Sequence, residues 1–284
     1  MRRPAVVGTL LTVPLLLIAM ASPSQAARHE RPQPKKPKAA RCAGLKVTLL
    51  VTSKSPQKVK GTKKRDVVLV LDGGHVIDVG AGNDVVCGSA GADVILGGRG
   101  NDRLLGGAGN DELAGGVGND RVEGGLGDDD LKGDVGKDLL LGGDGADDVD
   151  GGAGHDALVG GVGDDELVGG AGRDLVRGGA GDDVLSGDAG DDTLHGDAGS
   201  DKVHGGDGAD RLFGEDGTDY LYGDAGDDTL DGGLGVDVVD GGEGADDCGD
   251  DADDDVVADP DDKGGDDDTD DEDPGEAQAT GLNA

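Results

Sequence analysis

"GGAGDDVLS" fills residues 178–186, and "GDAGDDTLH", residues 187–195, follows it at once and keeps six of its nine residues. Two adjacent acids and one or two aliphatic side chains per nine residues are too few apolar groups for an ordinary core. Working outward in both directions, the same nine-residue register runs without insertion or deletion from Gly61 to Gly249, twenty-one blocks in all. From the third block onward position four is always Gly, and position eight is Val, Ile or Leu until Cys248 in the last block. Position six is Asp in all nineteen of these blocks: Asp84, Asp93, Asp102, Asp111, Asp120, Asp129, Asp138, Asp147, Asp156, Asp165, Asp174, Asp183, Asp192, Asp201, Asp210, Asp219, Asp228, Asp237 and Asp246. Such regularity excludes a merely low-complexity linker, and the consensus is GGxGxDxUx with U aliphatic.

The composition makes that regularity necessary. The chain has 284 residues, 60 of them Gly, with no Trp, one Phe, two Tyr and a formal net charge of −37. Few large apolar groups and many like charges ordinarily mean disorder, so a folded state needs help from outside the polypeptide. The charge is also unevenly divided: residues 27–65 hold thirteen Lys or Arg against one Glu, and residues 66–284 hold ten basic against sixty-one acidic residues. The acidic part is excluded as a nucleic-acid binder.

The repeat resembles the RTX, or haemolysin-type, calcium-binding nonapeptide proteins, over the 171 residues of the nineteen intact blocks. One GGxGxD would be weak evidence, since Gly and Asp cluster in ordinary turns. Nineteen in one register are specific. The resemblance implies an all-β fold, a parallel β-roll in which each nonapeptide is a GGxGxD turn followed by a short xUx strand. Two nonapeptides make one coil, and calcium ions sit between loops stacked eighteen residues apart. A dinucleotide fingerprint also contains GxG, but no strand, helix and distal acid follow here at βαβ spacing.

Elementary chemistry points the same way. Glycine suits turns of positive φ and places where carbonyls must crowd around an ion, and Ca²⁺ takes six to eight oxygen ligands. The position-six aspartates supply the carboxylates. A three-residue strand turns one side chain inward, position eight, because side chains alternate. Two aliphatic ladders follow: Leu104, Val122, Leu140, Leu158, Val176, Leu194, Leu212 and Leu230 on one sheet, with Leu113, Leu131, Val149, Leu167, Leu185, Val203, Leu221 and Val239 on the other. Residues 66–249 carry forty-five acidic and nine basic groups, a net of −36, along a rod of roughly 50 Å at ~4.8 Å per coil. Ten odd-numbered and nine even-numbered loops leave at most seventeen positions between stacked neighbours. That many Ca²⁺ would nearly cancel the charge, and binding would supply folding free energy.

Departures from the consensus mark the ends. Position two is Ser89, Asp134, Asp188, Asp197, Glu215 or Asp224 in six intact blocks, a change of small cost if that position acts through its backbone. The first two blocks, "GTKKRDVVL" and "VLDGGHVID", have Lys64 where Gly belongs and His75 where Asp belongs, and are expected to cap the roll without binding ions. His75, His155, His195 and His204 have no partner in register and are not expected to be ligands. Ahead of them Leu45, Val47, Leu49 and Val51 alternate as in a strand, expected as a lid on the first coil. The expected organisation is a signal peptide over 1–26, a basic Pro-rich arm over 27–41, lid and capping repeats over 42–78, the roll over 79–249 and an acidic disordered tail over 250–284. No frame of the tail has the Gly and Glu spacing of an EF-hand.

Arg2 and Arg3, the apolar run "AVVGTLLTVPLLLIAM" and "ASPSQA" have the form of a secretory leader cleaved after Ala26. The run contains Pro14 and is shorter than the ~20 apolar residues of a membrane span. No such span is expected in the mature chain. Exported chains pair cysteines, and Cys42 and Cys87 resemble a pair found at the start of exported actinobacterial relatives. Cys248 stands at an inward position as a small hydrophobe. Between the expected cleavage site and the first block lie about 34 residues, too few for a catalytic core and without HExxH or GxSxG.

The expectation is therefore a secreted, stand-alone, non-enzymatic calcium-binding roll with a structural, adhesive or ion-buffering role. The alternative is an interaction module whose basic arm binds an anionic cell-wall polymer or a surface protein. An accessory or remnant of an RTX enzyme is a third reading. Ice binding is set aside because position three is never Thr. Phe213, Tyr220 and Tyr222, outward-facing near one end, are a weak candidate contact patch.

Overall fold

The computed structural model describes residues 41–249 together with Val256–Val257. The expected leader, all of the basic arm but Arg41, and the rest of the acidic tail lie outside the described residues. Within them every element is a strand. Each repeat strand pairs in parallel with the strands eighteen residues before and after it, as Leu113 does with Ile95 and with Leu131. Odd and even blocks thus build two separate parallel sheets, each twelve rungs long, with Ala153–Gly154 continuing the rung of Asp148–Asp150.

The two aliphatic ladders meet between the sheets in one continuous cluster running from Val51 to Val239. All sixteen expected ladder residues are buried there, Leu158 and Leu167 at 0% exposure. Cys248, in the last rung of its sheet, packs against the end of this cluster from a partly exposed position. The core is one side chain deep from each sheet. Its burial alternates along each strand as pleating requires, with the position-one glycine as the second inward residue.

Three features differ from expectation. Most strands of the roll are six or seven residues long rather than three, as in Val94–Arg99 and Glu166–Gly172, while Val85–Cys87, Asp148–Asp150 and Val238–Asp240 keep the expected three. The pairing resumes at positions two and three of the next block, because ladder hydrogen bonds need only backbone, which Gly–Gly–x supplies. The expected lid is not a lid. Arg41–Cys42 and Leu45–Lys46 form a small antiparallel hairpin, and Leu49–Val51 is itself the first rung of one sheet, parallel to Val67–Val70. The burial alternation continues from Leu45 to Val51, but the strand is interrupted at Val47 and Thr48, and the Thr48 amide donates to the Val67 carbonyl while its hydroxyl accepts from the Val67 amide. Lys58–Lys60 supplies the matching first rung of the other sheet, with Val59 buried.

At the far end the register outlives the glycines. Val256 pairs with Val238 and Val257 with Val239, eighteen residues apart, so the expected tail begins as one more rung. "DDADDDVVA", residues 250–258, puts Val257 at position eight of a twenty-second block.

The N-terminal hairpin lies on the outer side of the first rungs. There Cys42, Val67 and Val85 make a second apolar cluster with Leu45, Val47, Leu69 and Cys87. Cys42 and Cys87 form a disulfide with Cα atoms 5.6 Å apart.

Candidate metal centres

The loop chemistry follows from one hydrogen bond repeated along the rod. From Asp84 to Asp228 the amide of each position-six aspartate donates to Oδ1 of the aspartate one coil later: Asp102 to Asp120 at 2.7 Å, Asp111 to Asp129 at 2.8 Å, Asp147 to Asp165 at 2.8 Å. The aspartates therefore stand in two rows, one per sheet, and those from Asp84 to Asp237 are at most 3% exposed. Asp246, in the last intact block, is more exposed and still accepts from the Asp228 amide.

The other oxygen is unsatisfied. Eighteen of the nineteen expected site residues, all but Asp93, hold a buried Oδ2 with no hydrogen-bond partner. A buried charged oxygen without a partner is costly. Eighteen in register need a common explanation, and a row of cations beside them is the one that charge and geometry allow.

The surroundings of Oδ2 suit a hard cation. A Cβ placed on Gly106 would sit 2.5 Å from Asp111 Oδ2 and 2.7 Å from the Gly124 carbonyl. Carboxylate and carbonyl oxygens from adjacent coils thus converge beside position one, and only Gly leaves room. At position two the backbone enters the left-handed region, as at Gly125 with φ +127, and a side chain there would collide with the Gly107 carbonyl. Among the described residues no three His, Cys, Asp or Glu side chains converge on one point. The remaining ligands would be backbone carbonyls, in keeping with oxygen-rich, low-charge calcium coordination.

Electrostatics adds to this. Burial, opposed by the accepted backbone N–H and reinforced by neighbouring loop carboxylates, pushes Asp111, Asp138 and Asp192 up to about 7. The same causes, burial first, raise Asp102, Asp129, Asp156, Asp165, Asp183, Asp201, Asp219 and Asp228 to about 6. Asp84, Asp120, Asp147, Asp174 and Asp210 are also raised, again mainly by burial. Carboxylates held above their ordinary range stay ionised at neutral pH more readily with a cation beside them.

Several residues take roles that sequence reasoning missed. Position five forms an outer ladder running the opposite way: Asn83, Asn101 and Asn119 accept the amides of Asn101, Asn119 and Lys137, each one coil later. His155 joins it, its Nδ1 accepting from the Arg173 amide at 2.7 Å. The signal was the run of Asn and Asp at position five. At position two Asp134, Asp188, Asp197, Glu215 and Asp224 adopt φ between 68° and 75°. These substitutions carry backbone strain and are not the cheap replacements expected.

Asp66 falls at position six of the first block, and its amide donates to Asp84 Oδ1 as in the roll. His75 occupies the equivalent place in the second block, with Nδ1 3.3 Å from the Pro56 carbonyl. His195 stacks on Phe213 and His204 on Tyr222, beside Glu215 and Asp224 respectively. Phe213 and Tyr222 belong to different sheets, so the three aromatics do not make one patch.

A two-sheet parallel roll with a carboxylate row at each file of loops defines a class of cation-binding solenoids. The family description "RTX calcium-binding nonapeptide repeat (4 copies)" matches this chain in eight stretches that together run without a gap from residue 65 to residue 248. The chain belongs to that family, and its repeats are calcium-binding repeats. No curated protein matches the chain.

Proposed function

We propose that this chain is exported through its N-terminal leader and that the roll is completed outside the cell by calcium, serving there as a non-catalytic structural or ion-buffering element. The observation that carries the reading is the pair of rows of buried Oδ2 atoms with no partner in the polypeptide. A fold that buries so many carboxylates over a core this thin draws stability from whatever binds the folded state alone. Extracellular calcium modules bind at ~10⁻⁴ to 10⁻³ M, so in a calcium-poor cytoplasm the body of the chain remains translocatable. Mg²⁺ is a poor substitute because it holds its water and demands tight octahedral geometry.

The test is a titration of the mature protein at fixed ionic strength, following far-ultraviolet circular dichroism and hydrodynamic radius. A cooperative rise in β signal with compaction is expected in millimolar Ca²⁺ and not in equal Mg²⁺. A fully compact, β-rich state in calcium-free buffer, or equal folding by Mg²⁺, overturns the reading. Export is checked separately, by finding a mature chain in the culture medium whose first residue is Ala27.

A further inference from the structure

One intact loop does not share the common chemistry. In eighteen of the nineteen intact blocks position two lies at positive φ, and in the same eighteen the aspartate Oδ2 is buried without a partner. The exception in both respects is the block of Ser89 and Asp93. Here Asp93 Oδ2 accepts the Ser89 amide at 3.0 Å and the Ser89 hydroxyl at 2.8 Å. The atoms nearest a Cβ on Gly88 are backbone atoms of Leu105 and Gly106, not the carboxylate. The first block shares the hydrogen bond and the φ: Asp66 Oδ2 accepts the Thr62 amide at 2.6 Å, and Thr62 is not at positive φ, although Asp66 Oδ2 still lies 2.9 Å from a Cβ placed on Gly61.

We propose that Ser89 and Thr62 shut their own loops to cations, and that residues 42–96 are a metal-independent end onto which the calcium-dependent coils assemble. This rests on the calcium-binding reading of the open loops. In a shut loop an N–H, or an N–H and an O–H, already donates to the oxygen that elsewhere faces the cation position without a partner. His75 replaces the aspartate in the loop between them. Asp84 is the one loop aspartate of this segment whose Oδ2 lacks a partner.

Other groups stabilise the same end. Position one, Gly throughout the later blocks, is Val70 and Val79 in two of the four blocks here, both buried in the core, and Gly61 and Gly88 in the other two. The outer apolar cluster and the Cys42–Cys87 disulfide hold the first rungs from outside. With the Asp93 loop shut, the ten odd-numbered open loops leave nine positions between neighbours and the eight even-numbered ones leave seven. The ceiling is then sixteen ions.

Two measurements on the full mature chain decide this. Hydrogen exchange in calcium-free buffer is expected to leave amides of 42–96 protected about tenfold or more above those of 97–249. Calcium stoichiometry at saturation is expected to rise by one ion in Ser89→Gly, which gives the loop the residue its neighbours have. Protection of neither segment, in a protein that folds with calcium, overturns this inference and leaves the proposed function standing. An unchanged stoichiometry in Ser89→Gly overturns the shut loop. Equal strong protection of both segments without calcium overturns the inference and the proposed function together.

Discussion

Residues 42–96 and residues 97–249 build the same coil by different means. The first segment has Val70 and Val79 at position one in two of its four blocks, bonds Asp66 and Asp93 to its own Thr62 and Ser89 in the other two, and closes a disulfide over its outer face. The second has Gly at position one in every block and leaves a carboxylate oxygen of every loop without a protein partner. A parallel coil therefore does not in itself require a metal. The requirement enters when the aliphatic and hydrogen-bonding groups are replaced by glycine and unpaired carboxylate, and that replacement makes the later coils responsive to their solvent.

Acid should separate the two segments most strongly. The loop aspartates that rise to about 6 or 7 lie at Asp102 and beyond. A carboxylate whose folded pKa exceeds its unfolded one favours the fold below the unfolded value and loses that contribution as pH rises through the folded value. In calcium-free buffer, lowering the pH from 8 to 5 is expected to restore β signal and exchange protection in 97–249, with little change in 42–96. With calcium present the direction reverses, since protons displace the ions. A calcium-free body indifferent to pH would break the comparison.

Reducing the disulfide, or Cys42→Ser, is expected to cost about 4 kcal/mol for a closed loop of this size, confined to the first rungs and seen as loss of protection near Val67 and Val85. Leu158→Ala, in the middle of one ladder, is expected to cost about 2–5 kcal/mol, read as a higher calcium midpoint. Asp165→Ala removes the acceptor of the Asp147 amide, at about 1–3 kcal/mol for the stranded donor, and is expected to lower calcium stoichiometry. Asp93→Ala is expected to leave stoichiometry unchanged, so equal effects of the two would erase the distinction between loops. The smallest change is Asp134→Gly, which relieves a non-glycine residue at φ 72 and is expected to stabilise by up to about 1 kcal/mol in calcium.

Much of this was legible in the nonapeptide. The period of nine placed every intact-loop aspartate and both aliphatic ladders, because position-six and position-eight residues recur with no slip. What escaped depends on backbone rather than on residue type. Gly–Gly–x extends each strand, yet its glycines read as turn. Leu49–Val51 and Lys58–Lys60 carry no GGxGxD marker, and the offset between paired rungs changes from nineteen to eighteen residues between them. Ser89 looked like one more substitution beside Asp134 or Asp188, and its φ together with its two hydrogen bonds to Asp93 Oδ2 separates it from them. Val256–Val257 was hidden by the loss of glycine at the start of its block.

The disulfide also fixes how the molecule bears a load. It joins residues 45 apart and encloses the first two rungs of each sheet between its ends. Tension applied at the two termini crosses the bridge directly, so residues 43–86 lie outside the path of the force. The coils beyond Cys87 receive it in series and from the C-terminal end. Each coil that peels away frees eighteen residues, about 60 Å of extended chain, and gives up the ions it shared with its neighbour. Under such a load the coils beyond Cys87 are expected to lengthen one at a time, with a calcium-dependent resistance, while residues 43–86 do not lengthen.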